Sequence, residues 1–261
     1  MVHLVRKGDS ASSWQTGEMS EAERQIRIDL AACYRLIAHL GLNELTYNHI
    51  SARIPGEREE ILINSFGLMF DEVCASNLVK VDVDGRVIHD PVGHGINEAG
   101  YVIHGAIHAA RADVACVIHT HSPAGMAVSA QAEGLLPLTQ NAMLFYEQIG
   151  YHDYEGVAVD LDEQRRLVHD LGGFNAMILR NHGLLTAGRS IAEAFNAMFF
   201  LENACRAQTA ALAGGRPLNL PSVEAARKTA AISREHGLGA ANRDWPALRR
   251  WADRLDDSYA G

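Results

Sequence analysis

Residues 114–123 read Val-Ala-Cys-Val-Ile-His-Thr-His-Ser-Pro, and this run decides the fold class. The continuous apolar stretch from Val114 to Ile118 is the pattern of a strand buried on both faces, and it leads straight into His119-Thr120-His121, where the strand emerges at the rim of its sheet. Successive strand residues point to opposite faces, so His119 and His121 project two imidazoles together while Thr120 turns away. That is a chelating pair. Ser122 then caps a helix, and Pro123 fits its first turn, where a missing N–H costs nothing. A buried strand passing directly into a helix places the chain in the α/β class.

Working outward, residues 99–111 carry a helical period, with Ile103, Ile107 and Ala110 on one side and His104 and His108 one turn apart; Ala112-Asp113 breaks it. Upstream, Ser20 with Glu23 forms a capping box, Ile26, Leu30, Ile37 and Leu40 fall near helical spacing, and Gly41 supplies the stop. Between Ile50 and Asp90 the apolar runs are short and punctuated by turn residues, and Asp84-Gly85 joins Val81–Val83 to Arg86–Ile88 as a hairpin. Antiparallel strands are expected there. Downstream, a polar segment after Pro137 leads to a helix from Asp162 to Leu171, a strand from Ala176 to Leu179, the turn Asn181-His182-Gly183, a further strand, and a long helix from Ser190 to about Ala213. The polar, small-residue stretch 1–18 reads as a flexible N-terminal arm, 19–215 as the single core domain, and 216–261 as a less regular C-terminal tail with one or two helices.

Composition removes several function classes. A net charge of −9, with no Lys/Arg run, disfavours a nucleic-acid backbone as partner. No stretch approaches the ~20 apolar residues of a membrane span. Cys33, Cys74, Cys116 and Cys205 lie far apart in apolar surroundings, which supports neither a disulfide framework nor a Cys-x-x-Cys site, and a reducing cytoplasm is the expected location. The chain has 13 histidines, several of them between His89 and His121. His182, at a strand end beside Gly183, is the third candidate ligand with His119 and His121. Three imidazoles with an open fourth position are the pattern of a catalytic rather than a structural site for a divalent transition metal.

Val-Ile-His-Thr-His-Ser at 117–122, Leu-Arg-Asn-His-Gly-Leu at 179–184, Asn-His-Ile-Ser at 48–51, Leu-Val-Lys-Val-Asp at 78–82 and Ala-Arg-Ala-Asp at 110–113 together resemble the class II aldolase/adducin family, from about Glu21 to Ala213. The resemblance implies a three-layer α/β/α fold with a central, mostly antiparallel sheet. It also implies a homotetramer with active sites at subunit interfaces, and Zn²⁺ held by His119, His121 and His182. Imidazole ligands also suit Mn²⁺, Fe²⁺ or Co²⁺.

The chain departs from the sugar-phosphate members of that family. Their catalytic Glu falls on Gly100; Glu98, two residues upstream, is the nearest carboxylate and the candidate catalytic residue, as metal ligand or general acid/base, and Glu98, His104 or water is the expected fourth ligand. Their phosphate-binding Ser-Gly-Asn, Thr-Gly and Ser-Ser positions become Tyr47-Asn48-His49, Phe66-Gly67 and Glu98-Ala99, which removes donors and adds a negative charge. Asn48, His49 and Ser51 are expected to form a polar wall for a carboxylate or carbonyl, with Ser65 and Gly67 as further substrate contacts. Tyr146 is the candidate proton donor, in a stretch that also holds Tyr151, His152 and Tyr154. The reading is a metal-dependent lyase, by aldol cleavage or decarboxylation, for a small non-phosphorylated hydroxy- or keto-carboxylate or hydroxylated aromatic acid. The alternatives are an adducin-like assembly module and a sugar-phosphate aldolase or epimerase.

Overall fold

Alternate residues along the strands bury on opposite faces of one sheet, and helices cover both. The computed structural model describes residues 19–56, 59–156, 161–236 and 241–261; the arm expected over 1–18 lies outside the described residues. In chain order the elements are α1 (Glu21–His39), β1 (His49–Arg53), β2 (Glu60–Ile63), β3 (Val79–Asp82), β4 (Val87–His89), α2 (Glu98–Ala110), β5 (Cys116–Thr120), α3 (Pro123–Ser129), α4 (Gln140–Met143), β6 (Gly150–His152), α5 (Leu161–Leu171), β7 (Ala176–Leu179), β8 (Gly183–Gly188), α6 (Ile191–Ala213), α7 (Val223–His236) and α8 (Ala241–Leu255). The strands form one eight-stranded sheet in the order β4-β3-β2-β1-β5-β8-β7-β6. Every described pairing is antiparallel except β6 with β7.

On one face Ile50, Ala52, Leu62, Cys116, Ile118, Ile178 and Leu184 pack against α1 and α6. On the other, Val117, Met177, Leu185 and Ala187 meet Ile103 and Ile107 of α2 and Leu167 and Leu171 of α5, while Ile61, Ile63, Val79 and Val81 meet Tyr101 of α2. The result is the three-layer α/β/α arrangement with a mostly antiparallel sheet. The period of two also puts His49, Ser51 and His119 on the α2 side, beside Val117. Tyr34 ties α1 to the sheet: its hydroxyl takes the Ile50 N–H at 2.8 Å and reaches Asn64 Oδ1 at 2.8 Å.

Caps form where the sequence places them. Ser20 Oγ accepts from Glu23 N, Ser122 Oγ from Gly125 N and Ser190 Oγ from Glu193 N, so each helix start has an otherwise orphaned N–H satisfied.

One difference from the sequence expectation stands out. The segment after Pro137, expected to be polar and irregular up to Asp162, contains α4 and the edge strand β6. Gly150-Tyr151-His152 has no apolar alternation, and its place in the sheet comes from pairing with Met177, Ile178 and Leu179. Gly150 permits that pairing, because a Cβ there would lie 2.4 Å from the Asp170 carbonyl at the end of α5. The tail forms both α7 and α8, as the expectation of one or two helices there allows. Trp245 Nε1 of α8 donates to Asp29 of α1 at 3.0 Å, and the edge of Trp251 meets His39, ring centroids 5.1 Å apart.

Candidate metal centre

The triad is built at the ends of the sheet's inner strands. His119 is the next-to-last residue of β5, paired with His49 of β1 on one side and Leu185 of β8 on the other. His121 follows one residue beyond the strand. His182 sits in the tight connection between β7 and β8, where Asn181 takes a left-handed conformation, φ 55°, and the His182 N–H donates to the Leu179 carbonyl at 3.1 Å. Gly183 is required next to it: a Cβ there would stand 2.4 Å from the Thr120 carbonyl, so only glycine lets the turn close on β5. Thr120 points the other way, its hydroxyl donating to Met198 Sδ at 3.3 Å behind the sheet. The three histidines thereby come together, with Nε2 of His119 and of His182 each 2.9 Å from Nε2 of His121. One ligand atom from each ring fits within 4.8 Å of the others.

The protons show what the cluster is for. Nδ1 of His119 lies 2.9 Å from the Leu184 carbonyl, which only accepts, so Nδ1 carries the hydrogen and Nε2 is bare. Nδ1 of His121 lies 2.8 Å from Glu44 Oε2, which likewise places a hydrogen on Nδ1, so that in the neutral ring Nε2 is bare. With both rings neutral, two nitrogen lone pairs face each other across 2.9 Å, a repulsive arrangement that a shared cation relieves. Nitrogens that each bind one zinc-sized ion at about 2.0–2.1 Å can be at most about 4.2 Å apart, and this pair lies inside that limit. The residues fit a divalent transition metal. Burial, and then the neighbouring imidazoles, holds His119 well below the usual histidine range; the same causes push His182 down to about 4, so both rings are neutral and able to ligate.

Behind the triad runs a second row. His49 Nδ1 is 2.7 Å from His104 Nε2, His104 Nδ1 is 2.6 Å from Ser51 Oγ, and Ser51 Oγ is 2.8 Å from His108 Nε2. All four residues are buried. Burial, followed by the nearby imidazoles, lowers His49 and His104 well below the ordinary range, while burial and the Arg53 charge lower His108 to about 3. The His49 and His119 rings lie 5.1 Å apart. Asn48 Oδ1 accepts from the Glu44 N–H at 2.6 Å and from the His121 N–H at 3.4 Å, while its Nδ2 is buried with no partner among the described residues.

The other candidates fall in different places. Ser51 has its hydroxyl engaged between His104 and His108, so it does not present a free donor to a ligand. His104 bonds to His49 and Ser51 and stands outside the three-residue cluster. Glu98 is exposed on the first turn of α2. Ser65 Oγ is buried with no hydrogen-bond partner among the described residues, and Gly67 has φ 86° with His94 near it. Tyr146 lies just after α4, and no described contact joins it to the triad. Tyr154 does approach, its ring 6.3 Å from that of His182. Glu44 and the Leu184 carbonyl, which set the ligand tautomers, escaped sequence reading because their partners are 77 and 65 positions away.

Three imidazoles at the rim of a mostly antiparallel sheet, sandwiched between helices, define a class of α/β/α metal-site proteins. The chain belongs to the class II aldolase and adducin family: the family model described as Class II Aldolase and Adducin N-terminal domain matches residues 28–209. A crystal structure of an aldolase II superfamily protein from Pseudomonas syringae is 49% identical, with a TM-score of 0.91 over 94% of this chain and 98% of that one. L-fuculose 1-phosphate aldolase from Glaciozyma antarctica PI12 is 28% identical, with a TM-score of 0.80 over 91% of this chain and 92% of that one. Alpha-adducin of Rattus norvegicus is 44% identical over 77% of this chain, a match that spans 28% of the adducin.

Proposed function

We propose that this protein is a Zn²⁺-dependent carbon–carbon lyase acting by aldol cleavage or decarboxylation on a small, non-phosphorylated hydroxy- or keto-carboxylate or a hydroxylated aromatic acid. The observation that carries the reading is the pair of bare Nε2 atoms on His119 and His121, fixed by the Leu184 carbonyl and Glu44 and 2.9 Å apart. A divalent cation bound by His119, His121 and His182 would polarise substrate oxygens and stabilise the enolate-like charge that appears as a carbon–carbon bond breaks. The protein's own part is orientation: Glu44 and Leu184 hold two of the rings in register, and the His182 turn closes against Thr120. Exposed Phe66 and Glu98 disfavour a phosphate dianion, one by offering no donor and the other by like charge.

The proposal includes a homotetramer with interfacial sites and a cytoplasmic location. Leu45 and Tyr47, on the loop that carries Glu44, and Tyr154 beside His182 are exposed apolar surface next to the triad, which an adjoining subunit would cover. All four cysteines are free thiols, as a reducing compartment requires. No helix among the described residues is long and apolar enough to cross a membrane.

The likeness to alpha-adducin favours a second reading, an assembly module without catalysis. A screen decides between them: metal-loaded protein is offered hydroxy acids, aldols and dihydroxybenzoates, and aldehyde and CO₂ release are measured. Turnover of one of these classes, lost in His121→Ala, is the expected result. Turnover of sugar phosphates alone contradicts the substrate class, and no turnover with no bound metal favours assembly.

A further inference from the structure

We propose that a cavity at the end of the sheet away from the histidine triad is a binding site for a nucleoside monophosphate. The cavity opens where β7 begins and β8 ends, bordered by α4, α6 and α7, and its volume is about 430 Å³. A strand's length separates it from the triad: Ala176 lines it at the start of β7, and His182 follows the end of that strand. Small-molecule sites run from about 300 to 1,000 Å³, so the space suits a ligand much larger than a bare inorganic anion.

The charged lining favours an anion. Arg111, Arg189 and Arg234 stand against Asp113 and Glu193, a balance of +1 within a chain of net charge −9. Asp113 holds Arg111 at 2.7 Å and Glu193 holds Arg189 at 3.1 Å. Arg234 has no ion pair among the described residues, and Arg227, two turns earlier on α7, takes both oxygens of Glu147 at 2.9 and 2.7 Å. Next to Arg234 in the chain, Ser233 is only 8% exposed and lines the cavity, yet its hydroxyl has no hydrogen-bond partner among the described residues. An unpaired guanidinium with a buried, unused hydroxyl is the donor set a phosphate takes. The single surplus charge matches a monophosphate; a longer phosphate chain would meet Asp113 and Glu193 without compensation.

The neutral lining suits a flat polar ring. Gln148 Nε2 donates to the Ala230 carbonyl at 2.8 Å, which leaves Gln148 Oε1 as an acceptor. Asn175 Oδ1 accepts from Arg111 at 3.4 Å, which leaves Asn175 Nδ2 as a donor. One amide acceptor and one amide donor can pair with the edge of a nucleobase, and Phe174, 37% exposed, supplies a ring on which the base stacks.

The site is independent of the chemistry at the triad, and its test keeps the two apart. Calorimetric titration of the full-length protein with AMP is expected to show one site per chain, at least tenfold tighter than adenosine or inorganic phosphate. Arg234→Gln, at an exposed position, is expected to weaken AMP by roughly tenfold to a hundredfold, as for one hydrogen bond to a charged group, and Phe174→Ala to weaken AMP and adenosine alike. Treatment with a chelator, or His121→Ala, is expected to leave AMP binding unchanged. No binding of AMP at millimolar concentration, or an affinity unchanged in both Arg234→Gln and Phe174→Ala, overturns the inference. So does inorganic phosphate binding as tightly as AMP, or AMP binding that disappears when the metal centre is disabled.

Discussion

The bare lone pairs of His119 and His121 depend on what holds the far side of each ring. For His119 that is a backbone carbonyl, which no substitution removes; for His121 it is the Glu44 carboxylate at 2.8 Å. Carboxylates that orient ligating imidazoles typically contribute 10–100-fold in metal affinity. Glu44→Gln keeps the shape but weakens acceptance, so zinc affinity measured by competition with a chelator is expected to fall by roughly 10-fold or more, with unchanged folding. Affinity equal to the unaltered protein's would show that His121 needs no such partner. The three histidines themselves were legible because residues i and i+2 of a strand share a face and because Asn181-His182-Gly183 reads as a turn. Glu44 was not legible, since its partner is far off in the chain and its own neighbourhood looks like any polar loop.

Among the elements, α2 shows how a helix can be shaped by what it leaves out. Its apolar stripe, Ile103 and Ile107, packs on the sheet as the periodicity predicts, and Asn97 caps it by accepting from Gly100 N at 3.1 Å. Gly100 itself is unfavourable in a helix by about 1 kcal/mol relative to alanine, and it is tolerated because the His49 ring lies against it. Gly100→Ala is therefore expected to destabilise the protein by about 1–3 kcal/mol despite the better propensity, through overpacking against a buried ring. Urea unfolding would measure it; a stabilised variant would mean that His49 moves aside freely. Helices and hairpins announced by caps, glycines and turn pairs were readable from the sequence. β6 was not, because a three-residue edge strand without alternation is specified by its neighbour β7 rather than by its own residues.

At the scale of the molecule, the three-layer fold gathers buried, neutral histidines at one end of the sheet, and that sets its response to acid. Their folded-state pKa values lie below the ordinary 6.5, about 4 for His182 and about 3 for His108. The unfolded chain therefore binds more protons in that range, so stability is complete above about pH 6.5 and is lost as pH falls toward the folded values, by up to about 1.4 kcal/mol per unit for each such group. Melting temperature of the metal-free protein is expected to drop steadily between pH 6.5 and 5; a flat profile there would show that these rings are not held neutral. The fold class and the family were visible in scattered short motifs, whereas the histidine row was hidden, because it forms only when β1 lies antiparallel to β5 and α2 covers both.

The account stands on three imidazoles sharing one cation. Titrating the full-length, chelator-treated protein with Co²⁺ while following its visible absorption, and then measuring bound metal per chain, tests this most directly. One equivalent per chain with a ligand-field spectrum, abolished in His121→Ala and displaced by Zn²⁺, is the predicted result. A folded, unaltered protein that takes up no metal, or one whose uptake is the same in His121→Ala, would contradict it.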